Sequence, residues 1–213
     1  MGRQGHILHP DLVGGQGMST KLSFLTLRAG ENPKCRFTSL AHLLTEDSLK
    51  ECFGELKRDK ASGIDGVTVK GYEAHLEENL KDLVARIKAK HYRPQPVKRV
   101  YIPKPNGDKR PLGIPAVEDK IVQMGIKKIL ESIYEQDFID VSYGFRPNRS
   151  CHDALDVLDK AIMTKPVSVV VDMDIEKFFD TVDHRWMMEC LRQRIADPSL
   201  LRLIARFLTQ VYH

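Results

Sequence analysis

The chain has 213 residues, of which 42% are hydrophobic and 29% are charged, a composition ordinary for a globular protein that leaves the number of domains open. Its formal net charge is +4, so overall charge alone identifies no class of partner. No apolar run approaches the roughly 20 residues needed to span a bilayer, and the N-terminus lacks the pattern of a secretion signal. The four cysteines are widely spaced, without a CxxC pair or a histidine cluster, and give no indication of a disulfide framework or a zinc site. We therefore expect a soluble protein with free thiols in the cytoplasm.

The first half of the chain predicts two helices and a hairpin. Residues 1–36 lack sustained periodicity and are expected to be irregular or mobile. A helix capped by Thr45 or Asp47 follows, and a turn over 61–66, with its two glycines, ends that region. A second amphipathic helix is predicted from Leu76 to Ile87. Residues 97–103 and 109–114 then read as two strands joined through Asn106-Gly107, a strong hairpin signal.

The second half alternates helices with one strand. Helical spacing of apolar residues recurs over 122–133, 155–162 and 200–211, and the run 167–175 reads as a buried strand. The fold class is therefore α+β, mostly helical. The positive charge is concentrated between Arg86 and Arg110, a stretch that contains nine basic residues and one acidic residue, Asp108. Such a stretch attracts polyphosphate.

The predicted strand 167–175 carries two carboxylates, and alternation along a strand places Asp172 and Asp174 on one face. A buried strand needs a cation or hydrogen-bond donors for unpaired carboxylates. Oxygen ligands at this density suit Mg²⁺, which binds one or two carboxylates together with substrate phosphates. The alternative is that both acids pair with Arg or Lys or cap the next helix. Phe178 and Phe179 follow directly, and an aromatic pair in such a position is more often part of a core.

Several long motifs resemble reverse transcriptases of the group II intron type. They are DIEKFFD at 174–180, KRVYIPKPNGDKRPLGIP at 98–115, SYGFRPNRSCHDAL at 142–155 and GIDG at 63–66. The resemblance runs from about Phe37 to the C-terminus, with the motifs in the expected order. It implies reverse-transcriptase fingers with a basic hairpin over 37–165 and the first part of a right-hand polymerase palm over 166–213.

The resemblance also implies roles for residues of the palm. By position in the motif, Asp174 would bind the catalytic Mg²⁺ ions, with the backbone carbonyl of Ile175 as a further ligand. Phe179 would be the steric gate against the 2′-hydroxyl of the incoming sugar. Asp172 and Phe178 would be supporting neighbours.

Roles in the fingers are implied in the same way. Lys98, Lys104 and Arg110 would hold the triphosphate of a dNTP, although relatives often carry Arg where this chain has Lys98, which makes that contact a flexible point charge. The alternative for each is a solvated surface cation. Arg146 would support the site or the template path, or else form an internal salt bridge to an acid of the palm.

The implied function is RNA-directed DNA polymerisation by nucleotidyl transfer with two Mg²⁺ ions, on an RNA template with a DNA primer. The family's second carboxylate motif does not occur before His213, so we expect the 213 residues to be inactive alone. One alternative is a non-catalytic, maturase-like module that binds intron RNA through the basic stretch and the first helices. Another is a retron or defence-type reverse transcriptase. Apolar surface expected on 167–175 and on the last helix predicts self-association as a homodimer.

Overall fold

The computed structural model describes residues 18–103, 105 and 107–210, with residue 180 described by its backbone alone. Its elements within these ranges are nine α-helices, a short 3₁₀ turn at Ala41–Leu43 and one antiparallel hairpin. In chain order they are α1 Met18–Glu31, α2 Glu46–Gly54, α3 Val69–Glu73, α4 Leu76–Lys88, β1 Lys98–Pro103, β2 Lys109–Ile114, α5 Val117–Tyr134, α6 Cys151–Thr164, α7 Phe178–Thr181, α8 His184–Arg192 and α9 Pro198–Leu208. The prediction of a mostly helical α+β chain is confirmed at this level.

Helix α2 begins where its capping residue predicts. The Thr45 hydroxyl accepts the Ser48 N–H at 3.2 Å, and the Ser48 hydroxyl accepts the Thr45 N–H at 2.8 Å. This reciprocal pair satisfies two of the N–H groups that a helix start leaves without partners. Thr45 rather than Asp47 is therefore the cap.

Helix α1 corrects the expectation that residues 1–36 are irregular, because residues 18–31 are helical; residues 1–17 lie outside the described ranges. Leu25 and Ala29 are buried, and the helix packs on α5. The apolar stripe of α1 is short, so its stability comes from this long-range packing more than from a strong local pattern.

Helix α5 forms the centre of the core. Ile121, Ile129 and Ile133 are fully buried, with α1 and α2 packed against the helix. Helix α4 in turn packs on α2 and buries Leu80 and Leu83. Because the apolar positions recur with the 3.6-residue period of a helix, each of these helices presents one apolar face to the common core.

Helix α9 joins the same core, so the expectation that the last helix is left unburied is wrong. Leu200 is inaccessible to solvent and Ile204 is 8% exposed. Asp197 caps α9 and also accepts the N–H groups of Leu40 at 2.6 Å and Ala41 at 2.8 Å. Burial alone would raise the pKa of Asp197, but its four backbone N–H donors together lower it. These hydrogen bonds attach α9 to the segment that precedes α2. The division into fingers and palm at residue 165 stays a prediction.

Candidate nucleotide and metal site

The segment 167–175 differs from its prediction, because its backbone has no regular secondary structure and its side chains are exposed. A strand is held by the ladder hydrogen bonds of a neighbouring strand, and no described segment pairs with this one. The run of β-branched residues raises strand propensity but does not supply that partner. The strand expectation was therefore wrong for the described chain.

Asp172 and Asp174 are both exposed. Neither forms an ion pair with a residue that the structure describes, and neither caps a helix, since α7 has Lys177 at its N-cap and α8 has Asp183. Both alternatives to ligand binding, an ion pair and a helix cap, are thus absent from this part of the chain. The described residues contain no group of three or more acidic, His or Cys side chains placed to hold a metal. The roles of Asp174 and of the Ile175 carbonyl as metal ligands stay predictions.

A tight turn directs the aromatic pair that follows the carboxylates. Lys177 adopts a left-handed conformation with φ 51°, and α7 starts immediately after it. The rings of Phe178 and Phe179 lie 5.7 Å apart at 57°, a favourable tilted arrangement. Phe178 is 51% exposed and Phe179 is 80% exposed, so neither is a core residue here. Two exposed rings therefore follow the two free carboxylates in the chain.

The hairpin places two of its predicted nucleotide contacts on one face. Lys98 pairs with Ile114 and Ile102 pairs with Arg110. Directly opposed residues share a face, and so do alternate residues along a strand, so Lys98 and Arg110 point to the same side. They are four residues apart along the ladder, or about 13 Å. Lys104 lies outside the described residues, and neither Lys98 nor Arg110 forms an ion pair with Asp172 or Asp174 in the described ranges.

Arg146 is held inside the molecule. Its guanidinium binds Glu135 at 2.6 and 2.9 Å, and it donates to the carbonyls of Ile139 at 3.0 Å and Ser142 at 2.8 Å. It also lies 5.0 Å from the centre of the Phe138 ring. The side chain is 7% exposed, so these groups occupy it almost entirely. The partner is an acid at the end of α5 rather than an acid of the predicted palm.

A basic pocket that the sequence did not predict lies between α1 and the segment 36–43. Its volume is about 460 Å³, and its lining includes Lys21, Arg28, Arg36 and His42 with no acidic residue. Phe24, also in the lining, is 63% exposed. The basic residues come from two segments outside the basic stretch 86–110, and only packing brings them together.

A buried carboxylate at the start of α5 was also missed. Asp119 is 1% exposed and accepts hydrogen bonds from the Tyr92 hydroxyl and from the Gln95 N–H at 3.0 Å. Burial raises the pKa of Asp119 to about 6 despite these two donors. In sequence it looks like an ordinary acid in the first turn of a helix.

Comparison with known proteins agrees with the motifs. Residues 102–213 match the family described as reverse transcriptase (RNA-dependent DNA polymerase). The chain is 38% identical over 187 residues to Protein YkfC of Escherichia coli (strain K12), covering 83% of this chain and 48% of that protein. It is 37% identical over 193 residues to the group II intron-encoded protein LtrA of Lactococcus lactis subsp. cremoris, covering 90% of this chain and 32% of that protein. The chain thus spans less than half the length of either relative. No helix in the described ranges is both long and apolar enough to cross a membrane.

Proposed function

The chain belongs to the reverse transcriptase family, and on that premise we propose that it supplies the fingers and the first palm motif of an RNA-directed DNA polymerase of the group II intron type. The observation that carries this proposal is the DIEKFFD motif, in which Asp174 is exposed, forms no ion pair with a described residue and is followed by an exposed aromatic pair. Its template is proposed to be RNA, its primer DNA and its substrate a dNTP. Free thiols at all four cysteines are compatible with a reducing cytoplasm.

The residues present fit Mg²⁺. Asp174 offers a carboxylate and Ile175 a carbonyl, and this cation commonly takes only one or two protein carboxylates when substrate phosphates complete its shell. Asp172 would add negative charge nearby without binding directly. When bound, the metal ions would stabilise charge on the transferring phosphoryl group and on the departing pyrophosphate. Phe179 would pack under the sugar and leave no room for a 2′-hydroxyl, with Phe178 supporting its ring.

The hairpin would hold the triphosphate. Arg110 offers a planar fork suited to phosphate, whereas Lys98 offers a point charge nearer the base of the hairpin. Between them on the same face lie Val100 and Leu112, which are exposed. A face with cations at its two ends and apolar side chains between them suits a nucleotide. Lys104 is proposed as the third contact from the motif alone.

Equilibrium binding of a dNTP to the 213-residue chain, with and without Mg²⁺, tests the metal site. Asp174→Ala should abolish the Mg²⁺-dependent part of the affinity, and Asp172→Ala should keep most of it because that residue is proposed as a neighbour. Primer extension on an RNA template, in a longer form of the protein that polymerises, should show the same contrast. Equal loss in both variants would contradict the assignment of Asp174 as the ligand.

The second candidate is a non-catalytic RNA-binding module, and the basic pocket is the observation that favours it. Lys21 and Arg28 line this pocket with no acid opposing them. If RNA binds there, affinity should fall steeply with salt, and each lost phosphate contact should flatten the slope of log K against log salt by about 0.7–0.9. Replacing both residues by alanine should weaken binding, whereas the exposed Lys70→Ala on α3 and Asp174→Ala should leave it intact. Binding that is insensitive to salt would exclude this candidate.

Self-association as a homodimer is proposed from the apolar segment 167–175. Val169, Val171 and Met173 are 73%, 70% and 86% exposed. Several exposed apolar side chains within one short segment are typical of interaction surfaces. Light scattering at increasing concentration should show a dimer, and Val171→Asp should abolish it. A monomer at every concentration would contradict the proposal.

A further inference from the structure

The hairpin projects from the helical body as an arm. All six residues of β1 are exposed, and in β2 only Gly113 and Ile114, next to the body, are partly covered. The two strands pack on each other and on no other described element to a comparable extent. The direction of the arm is therefore set where its two ends enter the body.

Both ends enter the body at Asp119. Segment 92–97 leads into β1, and residues 115–116 lead from β2 into α5, which places Asp119 in the first turn of that helix. One oxygen of Asp119 accepts the Tyr92 hydroxyl, and the other accepts the Gln95 N–H at 3.0 Å and the Gln210 amide N–H at 3.4 Å. A single carboxylate thus joins the segment entering the arm, the helix leaving it and Gln210, two residues after α9.

The same segment has a second attachment to α9. Arg206 donates to the carbonyl of Tyr92 and, at 2.9 Å, to that of Lys90. Gln210 donates to the Gln95 carbonyl as well as to Asp119. Arg206 and Gln210 can hold this segment on α9 without Asp119, whereas Asp119 bonds the segment directly to the first turn of α5.

The donors at this junction favour a carboxylate over an amide. No ion pair to Asp119 is present among the described residues, and Arg86 pairs instead with Glu118 at 2.7 Å and Asp82 at 2.6 Å. Three donors from three positions converge on its two oxygens, and each needs an acceptor. An asparagine of the same shape has one acceptor oxygen, and its amide nitrogen would face a donor. Burying the charge is costly, but a carboxylate offers two acceptor oxygens to these donors and an amide offers one.

We infer that Asp119 is a positioning residue that fixes the orientation of the β1–β2 arm relative to the helical body. The inference rests on the proposed function in one respect: the arm matters because it carries Lys98 and Arg110. Six residues of strand extend about 20 Å, so a tilt of about 10° at the junction displaces the tip by about 3 Å. That displacement is enough to break a hydrogen bond to a phosphate oxygen, which requires donor–acceptor distances near 3 Å.

Electron spin resonance distance measurement on the full chain tests the inference. Spin labels are placed at Lys109→Cys on the arm and Lys81→Cys on α4, after replacing the other non-buried cysteines Cys35, Cys151 and Cys190 by serine. The protein with Asp119 intact should give one narrow distance distribution. Asp119→Asn should broaden it by several ångströms, and the exposed Asp156→Asn on α6 should leave it unchanged.

A second variant separates orientation from overall folding. Tyr92→Phe removes one donor to Asp119 and keeps the ring, which packs 6.2 Å from Phe207, so the variant should fold and still broaden the distribution to a smaller extent. Helical circular dichroism of each variant verifies that the body is intact. A narrow, unshifted distribution in folded variants at both positions would overturn the inference.

Nucleotide binding distinguishes this inference from the proposed function. If the arm loosens in Asp119→Asn and dNTP affinity falls with it, both hold. If the arm loosens while the chain with Asp119 intact binds no dNTP, Asp119 still positions the arm and the proposed function fails. If Asp119→Asn binds dNTP normally and its arm keeps the narrow distance distribution, the positioning role of Asp119 is refuted and the proposed function stands.

Discussion

Replacing Gly63 by alanine should destabilise the protein through steric overlap with the backbone of a neighbouring segment. Gly63 opens the GIDG motif and is buried against the chain that links β2 to α5. A Cβ at this position would lie 2.6 Å from Ala116 Cα, 2.7 Å from Ala116 N and 2.9 Å from Pro115 C. Carbon atoms in contact are normally about 3.5–4.0 Å apart. All three neighbours are backbone atoms, so no rotamer change relieves the overlap.

The cost follows from what has to move. Separating the two segments by about 1 Å shifts the start of α5, whose residues Val117 and Ile121 are buried. Overpacking of this kind costs about 1–3 kcal/mol, a large share of the roughly 5–15 kcal/mol that stabilises a typical domain. Urea unfolding followed by circular dichroism measures it, with Gly144→Ala as the control, since no atom lies within 4 Å of a Cβ there. A Gly63→Ala unfolding free energy within about 0.5 kcal/mol of the wild type, the range of neutral surface changes, would refute the reasoning.

Three further predictions concern caps, charge and the Arg146 junction. Lys90 follows α4 with φ 61°, and the His91 N–H donates a 6→1 hydrogen bond to the Arg86 carbonyl at 2.9 Å. Lys90→Gly should therefore raise the unfolding free energy by about 0.5–1 kcal/mol, whereas Lys81→Gly in the middle of α4 should lower it by about 1 kcal/mol. Equal signs in urea titrations would contradict this. Burial raises the pKa of Asp119 to about 6, above its unfolded value, so its contribution to stability is largest below about pH 4 and falls by about 3 kcal/mol as pH rises through 6. The difference in unfolding free energy between wild type and Asp119→Asn should fall in the same way. A difference that stays constant from pH 4 to 7 would be inconsistent with a buried carboxylate. Arg146→Ala leaves Glu135 and two carbonyls without their donor, so limited proteolysis should cut 138–147 faster than in the wild type, and an unchanged rate would show that Arg146 does not hold this segment.

Local patterns in the sequence determined much of the helical frame. The apolar spacing over Leu76–Ile87 and the Thr45 cap each involve neighbours within four residues, and both appear as predicted in α4 and α2. The hairpin is also local, and Gly107 adopts φ 89°, which favours glycine. The motif at 174–180 identified the family in the same way, since it depends on residue order and not on packing.

Tertiary contacts decided what the patterns left open. Residues 167–175 have the composition of a strand, yet a strand exists only with a partner, and the described chain offers none. Helix α1 has too few apolar positions to stand out, yet burial against α5 makes it helical.

Charged side chains show the same division most clearly. Arg146, Asp119 and Arg28 look alike in sequence as polar residues near motifs or helix ends. Packing gives the first an internal ion pair, the second a buried junction and the third a place in a basic pocket. A charged side chain serves the structure or stays free for a ligand according to which groups from distant parts of the chain contact it. The spacing of residues along the sequence does not reveal those groups.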